Sequence, residues 1–180
     1  WKIDGFDVVR NDRKHKKGGG SAIYIRQSID YIPRQDLISD DALEMVWVEL
    51  ITKGNKSNVL LSSVYRAPDA PDMYFESLID TIEKAISEVK MIAILGDLNY
   101  DCSAGVKDET HPISRLEALF SLQQIINSPT RVSKTSATII DVILTSSNAR
   151  VVTSGVFQTS FSDHFLIYTK LNIDTIPKKH

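Results

Sequence analysis

A buried strand that ends in polar side chains constrains this chain more than any other feature. The run Met91–Leu95 is entirely apolar, and residues 73–89 before it carry apolar side chains at helical spacing. A continuous apolar run of this length is typical of a strand that is buried on both faces. A helix leading directly into such a strand indicates that helices cover a sheet. We therefore expect an α/β architecture.

The residues that end this strand are the first candidates for chemistry. In Gly96-Asp97-Leu98-Asn99, an extended backbone would point Asp97 and Asn99 to one face and Leu98 to the core. A carboxylate and a carboxamide at a strand end are suited to positioning a water molecule or a metal ion. The alternative is an Asx-type turn that closes the strand, since Gly, Asp and Asn are ordinary turn residues.

The composition excludes several classes of protein. With 180 residues, 42% hydrophobic and 24% charged, the chain is expected to form one globular domain over residues 1–180, with 173–180 as a tail. Its net charge of −2 gives no overall attraction to nucleic acid or to membranes. Cys102 is the single cysteine, which excludes a disulfide framework and a cysteine-rich zinc site and favours a reducing compartment.

Predicted antiparallel strands occupy the first third of the chain. Phe6–Arg10 and Ser21–Arg26 are joined by the basic run Asn11–Lys17 and three glycines, which predicts a hairpin. Leu43–Thr52 and Val59–Tyr65 form a second predicted hairpin around a polar turn. The basic run suits contact with a nucleic-acid backbone, and it equally suits a solvated turn.

A second carboxylate lies in an unusual place. Asp141 interrupts the apolar run Thr138–Thr145, which predicts a strand. A buried ionised carboxylate is costly unless it is paired, so Asp141 is expected to bind a partner such as a histidine. His164 is the one histidine that immediately precedes an apolar strand. Glu44, at the start of its strand, is expected to lie on a solvated edge.

In order and context, these segments resemble a known superfamily. Gly96–Asn99, Thr138–Thr145 and Ser162-Asp163-His164-Phe165 resemble motifs of the endonuclease/exonuclease/phosphatase superfamily. Four further stretches look like the endonuclease domain of non-LTR (LINE-type) retrotransposons: Gly18–Ile25, Glu44–Glu49, Val64–Pro68 and Ser128–Arg131. The resemblance extends from about Phe6 to Leu171.

The resemblance implies a fold and a departure from it. The fold is deoxyribonuclease I-like α/β (α+β), a four-layer sandwich of two mostly antiparallel sheets flanked by helices. Family members begin with two strands that carry an Asn and a metal-binding Glu, both upstream of the position of Phe6, and neither is present here. The expected fold is therefore truncated at its N-terminus. We expect weak Mg²⁺ binding and an exposed sheet edge that favours aggregation or swapping.

The resemblance also implies a role for each polar residue of the motifs. Those expected to be catalytic are Asp97 and Asn99 at the attacking water, His164 and its partner Asp141 at the phosphate, and Tyr65 at the phosphate or leaving oxygen. Asp163 is the expected ligand of Mg²⁺, with Mn²⁺ as the other candidate metal. Those expected to line a groove for double-stranded DNA are Arg66, Thr130, Arg131 and Ser162.

The function that the resemblance implies is hydrolysis of DNA phosphodiesters by a metal-dependent endonuclease, with weak or no activity expected of this chain because the upstream metal-binding Glu is absent. The expected role is the nicking of target DNA for retrotransposition, in the nucleus, with a reverse transcriptase following in the parent polyprotein and no membrane partner. One alternative is a non-catalytic remnant that folds or binds DNA without cutting it. Another is a lipid or inositol phosphodiesterase of the same superfamily.

Overall fold

The structure is a computed structural model that describes residues 2–13, 18–40, 42–54, 58–88, 91–103, 108–147 and 149–178. The first half of the chain contains β1 (Phe6–Asn11), β2 (Ser21–Arg26), β3 (Tyr31–Pro33), a 3-10 turn (Gln35–Leu37), β4 (Glu44–Leu50), β5 (Val59–Tyr65) and α1 (Met73–Glu88). The second half contains β6 (Met91–Asp97), α2 (Pro112–Phe120), β7 (Leu122–Gln124), β8 (Arg131–Val132), β9 (Ala137–Thr138), β10 (Asp141–Ser146), β11 (Val151–Phe157) and β12 (Leu166–Leu171).

Six strands form a mixed central sheet in the order β3-β4-β5-β6-β10-β7. Strands β5 and β6 are parallel and are connected by the crossover helix α1, whereas the other neighbouring strands are antiparallel. The apolar run that predicted a buried strand is β6, at the centre of this sheet. Ile92, Ala93 and Ile94 are all buried there, which confirms the prediction.

The central sheet is buried on both faces because successive side chains of a strand point in opposite directions. In β4, Met45 and Trp47 belong to a large apolar cluster that includes the buried faces of α1 and α2. Val46 and Val48, the alternate residues, belong to a second cluster with Val9 and other residues of β1 and β2. Both described α-helices therefore cover one face, and the β1–β2 hairpin covers the other.

The second β-layer consists of two hairpins, β1–β2 and β11–β12, each a two-stranded antiparallel sheet. The large cluster reaches both faces of the sheet at β10, because its buried residues Val142, Ile143 and Leu144 point alternately to either side. Val156 and Ile167 pack the β11–β12 hairpin against this cluster. The result is the predicted α/β sandwich of two packed β-layers flanked by helices. Among the described residues the helices flank the six-stranded layer. In the same part of the chain, no helix is long and apolar enough to cross a membrane.

Predicted elements are confirmed with small shifts at their ends, except for the strand Thr138–Thr145. This segment is interrupted, because β9 ends at Thr138 and β10 begins at Asp141. Between them, the Ile139 N–H donates to the side chains of Asp101 and Ser103, so it is not available to a neighbouring strand. The break places Asp141 at the first position of β10.

The C-terminal segment is paired, which corrects its prediction as a tail. Four backbone hydrogen bonds join residues 174–178 to residues 28–53, and Ile173 packs on the second cluster. Lys178 Nζ also lies 3.0 Å from a carboxylate oxygen of Asp7. Parts of two predicted turns, residues 14–17 and 55–57, lie outside the described residues.

Candidate active site

Four polar side chains form a row across one end of the central sheet. In strand register, Glu44 lies opposite Tyr65, and Tyr65 lies opposite Asp97. Asp97 in turn lies opposite Asp141. Residues in register on neighbouring strands project from the same side of a sheet, so strand pairing alone brings these side chains together.

His164 extends this row beyond Asp141. Its Nδ1 lies 3.0 Å and 3.2 Å from the two carboxylate oxygens of Asp141. Both side chains are largely shielded from solvent, and Asp141 is the more buried of the two. The carboxylate inside an apolar strand therefore has the histidine partner that its sequence context predicts. Because Asp141 holds Nδ1, the opposite ring nitrogen, Nε2, is left to face a substrate.

Thr130 ties the two halves of this pair together, and its predicted place in a DNA groove is wrong. Its side chain is fully buried, so it cannot touch a ligand on the surface. The hydroxyl oxygen accepts hydrogen bonds from the N–H groups of Ile140 and Asp141 at 3.2 Å and 3.0 Å. The Thr130 carbonyl accepts the N–H of Phe165 at 2.7 Å. Thr130 thus fixes the start of β10 relative to the residue after His164.

Asp97 is partly buried at the end of β6, where β5 approaches closely. At Gly96, which has a φ of +151°, a Cβ atom would lie 1.8 Å from the carbonyl oxygen of Val64. Only glycine fits there, so Gly96 permits the turn that presents Asp97. Burial, followed by the nearby charge of Asp141, raises the pKa of Asp97 above its ordinary value.

Asn99 is held in an Asx turn, the alternative that the sequence left open beside an extended strand end. Its φ is +52°, and its N–H donates to Asp97 Oδ1 at 3.0 Å. Its side-chain amide donates to the backbone carbonyl of Arg66 at 2.7 Å. Leu98 is fully buried, as predicted. The turn and the polar site are therefore one structure, since the turn orients the Asp97 carboxylate.

Arg66 lies beside this turn, against a residue that sequence patterns did not single out. Its guanidinium carbon is 4.3 Å from the centre of the Tyr100 ring, a cation–π contact. Its backbone N–H donates to the Asp97 carbonyl at 2.8 Å. Tyr100 directly follows Asn99 in the chain, and this adjacency is the one sequence signal that could have indicated it.

Asp163, Arg131 and Ser162 surround His164 on the exposed side. Arg131 Nε donates to Asp163 Oδ2 at 2.9 Å, and this contact lowers the pKa of the Asp163 carboxyl. Ser162 Oγ accepts the N–H of His164 at 3.0 Å. Arg131 and Ser162 are exposed, as a role in DNA contact would require. The carboxylate of Asp163 is therefore paired with an arginine.

Three of these side chains form a group that fits a divalent cation. Asp97, Asp141 and His164 each offer one ligand atom, and these atoms lie within 4.8 Å of one another. Carboxylate oxygens are the ligands that Mg²⁺ prefers, and an imidazole nitrogen is acceptable to Mn²⁺. Asp163, the expected metal ligand, is not a member of this group within the described ranges.

Comparison with known families and curated proteins gives one match. The profile of the Endonuclease/Exonuclease/phosphatase family matches residues 4–164. This range includes every residue of the row, and it extends to His164. No curated protein matches the chain.

Several solved structures share the fold. The endonuclease domain of TRAS1, a telomere-specific non-LTR retrotransposon, superposes with a TM-score of 0.74 at 19% identity, over 94% of this chain and 81% of that domain. The Xenopus laevis APE2 catalytic domain gives 0.68 at 14% identity, over 99% and 79%. A 3'-5' exonuclease (NExo) from Neisseria meningitidis gives 0.65 at 17% identity, over 93% and 80%. At these identities the likeness concerns the fold.

Proposed function

Because the chain belongs to the endonuclease/exonuclease/phosphatase family, we propose that it hydrolyses phosphodiester bonds of double-stranded DNA as a metal-dependent endonuclease. The observation that supports this most directly is the convergence of Asp97, Asp141 and His164 from β6, β10 and the segment before β12. These three residues are distant in sequence, and they meet where a phosphate could reach all of them.

In this proposal Asp97 positions the attacking water and accepts its proton. The Asn99 N–H holds Oδ1 of the carboxylate, which leaves Oδ2 to the water. A carboxylate with a raised pKa is a stronger base than an ordinary aspartate, which suits proton abstraction. The side chain of Asn99, anchored on Arg66, keeps this turn in place.

His164 and Tyr65 act on the phosphate. Nε2 of His164 stabilises the charge that develops on the phosphate oxygens, while Asp141 fixes the orientation of the ring. Tyr65, next to Asp97 in register, donates its phenol to a phosphate oxygen or to the leaving oxygen.

The carboxylate of Asp141 would hold the metal together with that of Asp163, which would first exchange its contact with Arg131, so that Asp97 is left to the water. A bound Mg²⁺ or Mn²⁺ supplies charge stabilisation to the phosphate in such sites. Since Arg131 now neutralises Asp163, we expect the affinity for Mg²⁺ to be weak. A calorimetric titration with MgCl₂ measures this directly, and tight binding would contradict it.

Arg131, Ser162 and Arg66 are the proposed contacts to DNA. All three adjoin the site, and such contacts position a duplex without reading its sequence. The biological role we propose is the nicking of target DNA for retrotransposition in the nucleus, in association with a reverse transcriptase. The support for this role is the set of retrotransposon-like stretches together with the fold shared with the TRAS1 domain.

The test is nicking of a supercoiled plasmid, which has no ends and therefore registers endonuclease activity alone. We expect nicked circles with Mg²⁺ and none with EDTA. His164→Ala should reduce the rate by about 10²-fold or more, the range for loss of one charge-stabilising donor. His111→Ala is the matched control, because His111 lies at the start of α2 and accepts the N–H of Ile113 through Nδ1 at 3.2 Å.

Other outcomes identify the alternatives. Unreduced nicking by the His164→Ala variant would overturn the proposed site. DNA binding without nicking by the unaltered chain would establish a non-catalytic remnant. Release of phosphate from an inositol lipid, with no nicking, would establish a lipid phosphodiesterase.

A further inference from the structure

Glu44 belongs to the row of polar side chains but has no part in the reaction proposed above. The sequence predicted a solvated edge for it, and this is wrong, since only 14% of its side chain is exposed. It stands opposite Tyr65, two strands from Asp97. A carboxylate shielded to this degree requires partners.

The partners of Glu44 come from both ends of the connection between β1 and β2. Arg13 Nε donates to Glu44 Oε1 at 2.8 Å, and Arg13 Nη2 contacts the same oxygen. The backbone N–H of Gly20 donates to Oε2. One carboxylate therefore clamps Arg13, two positions past the end of β1, and Gly20, the residue that precedes β2.

Two glycines of this connection have positive φ angles, and one of them also lies against the Arg13–Glu44 pair. Gly19 has a φ of +87°, and a Cβ there would lie 2.5 Å from both Arg13 Cζ and Glu44 Oε2. Gly18 has a similar φ of +80°, but a Cβ there would meet nothing within 4 Å. Backbone conformation alone explains Gly18, whereas Gly19 is also required by the approach of the Arg13–Glu44 pair.

The clamp presents a cation beside the candidate active site. Arg13 Cζ lies 5.8 Å from the centre of the Tyr65 ring. From Glu44 to Asp97 is two strand spacings, about 10 Å. Duplex DNA rises ~3.4 Å per base pair, so this distance spans about three base pairs. If the scissile phosphate lies at Asp97, the guanidinium is at the right distance to reach a phosphate that flanks it.

We propose that Glu44 is a positioning residue that fixes Arg13 beside Tyr65, where Arg13 contacts a DNA backbone phosphate flanking the cleaved one. This inference rests on the proposed function. An arginine suits the task because its planar guanidinium has five donors, so it can bind a carboxylate along one edge and a phosphate oxygen along another.

The effect of Glu44→Gln on kcat distinguishes a positioning role for Glu44 from a simple effect of its negative charge. Removing a negative charge beside DNA would by itself strengthen binding and leave turnover intact. If Glu44 positions Arg13, Glu44→Gln lowers kcat for plasmid nicking about tenfold or more, because small misplacements near a reacting centre are costly. Faster nicking or tighter binding by Glu44→Gln without a fall in kcat would overturn the proposal.

Direct contact by Arg13 is tested by DNA binding in EDTA, where no cleavage occurs. Arg13→Gln should reduce the slope of log K against log salt concentration by about 0.9, the value for one phosphate contact. Arg10→Gln is the matched control, since Arg10 lies on the exposed side of the same hairpin and pairs with Asp12. Equal slopes for the two variants would contradict the contact.

Gly19→Ala and Gly18→Ala provide a second test that leaves every charge in place. Both variants carry a strained φ, but only Gly19→Ala displaces the Arg13–Glu44 pair. We expect Gly19→Ala to reproduce the kcat loss of Glu44→Gln and Gly18→Ala to spare kcat, with thermal unfolding confirming that both variants fold. Equal kcat values would overturn the proposal. The binding slopes do not depend on nicking, so failure here is distinguishable from failure of the proposed function.

Discussion

At Asp97, the stability of the fold and the proposed reaction favour opposite protonation states of one carboxyl group. Burial and the neighbouring Asp141 raise the pKa of Asp97 in the folded protein. The folded state then binds the proton more tightly than the unfolded state does, so stability falls as the pH rises through the ordinary pKa towards the raised one. The ionised form that the proposed reaction needs is thus the form that destabilises the fold.

We therefore expect Asp97→Asn to be more stable and less active than the unaltered chain. At pH 7 its melting temperature should be higher, and the difference should vanish near pH 3, where both states hold the carboxyl protonated. Plasmid nicking should fall by about 10²-fold or more, as for loss of a general base. Asp163→Asn is the control with the opposite sign, because Arg131 lowers the pKa of Asp163. A lower melting temperature for Asp97→Asn at pH 7 would contradict this account.

Which site residues the sequence could predict depends on the kind of signal each one carries. A histidine partner for Asp141 could be predicted, because a carboxylate in an apolar run needs a polar or charged partner. His164 is that partner. The conformation of Asn99 was left open because the sequence pattern did not choose between an extended strand end and a left-handed turn. Thr130 was misplaced because the motif that contains it did not indicate how deeply it is buried.

Among the elements, a helix with a regular apolar repeat could be predicted from the sequence. The pairing of strands that are far apart in the chain could not. Helix α1 follows from its apolar repeat, and Phe75, Leu78 and Ile82 are buried as that repeat requires. The pairing of β6 with β10 joins residues more than forty positions apart, and no local pattern encodes it. Yet this pairing places Asp97 opposite Asp141, so the site depends on the least predictable contact.

The C-terminal segment is also held by contacts with distant residues, and its contribution to the free energy of unfolding can be measured. Residues 174–178 have four backbone hydrogen bonds to residues 28–53. At ~1 kcal/mol each, and with Ile173 removed from the second cluster, deletion of residues 173–180 should reduce the free energy of unfolding by about 3–5 kcal/mol. Urea unfolding measures this loss.

A matched variant separates this segment's backbone pairing from its charge. Asp7→Asn removes the ion pair with Lys178 and leaves the backbone bonds in place, and an exposed pair of this kind adds little to stability. We expect its urea midpoint to stay close to that of the unaltered chain. A deletion variant as stable as Asp7→Asn would show that the segment does not hold the fold together.

On the scale of the whole molecule, the second β-layer is the unusual feature. Within the described ranges its two hairpins are not paired with each other, so each is a two-stranded sheet whose edges are unpaired there. On the outer face of the β11–β12 hairpin, Phe157 pairs with Leu166, and they are 64% and 56% exposed. Tyr168 continues this apolar strip and is 47% exposed. The family resemblance led us to expect an exposed sheet edge, and these side chains form an apolar strip beside the edges of this hairpin.

We predict that this surface makes the chain associate with itself as its concentration rises, because contiguous apolar area next to free strand edges favours pairing between molecules. Sedimentation velocity over a wide concentration range should show a growing fraction of dimers and larger species. Leu166→Lys places a charge in the middle of the strip and should shift the distribution towards monomer. Met73→Lys adds the same charge on α1, at a position that is more exposed than Leu166, and should not shift the distribution. A chain that stays monomeric throughout would show that the separate hairpins are protected in a way their exposure does not reveal.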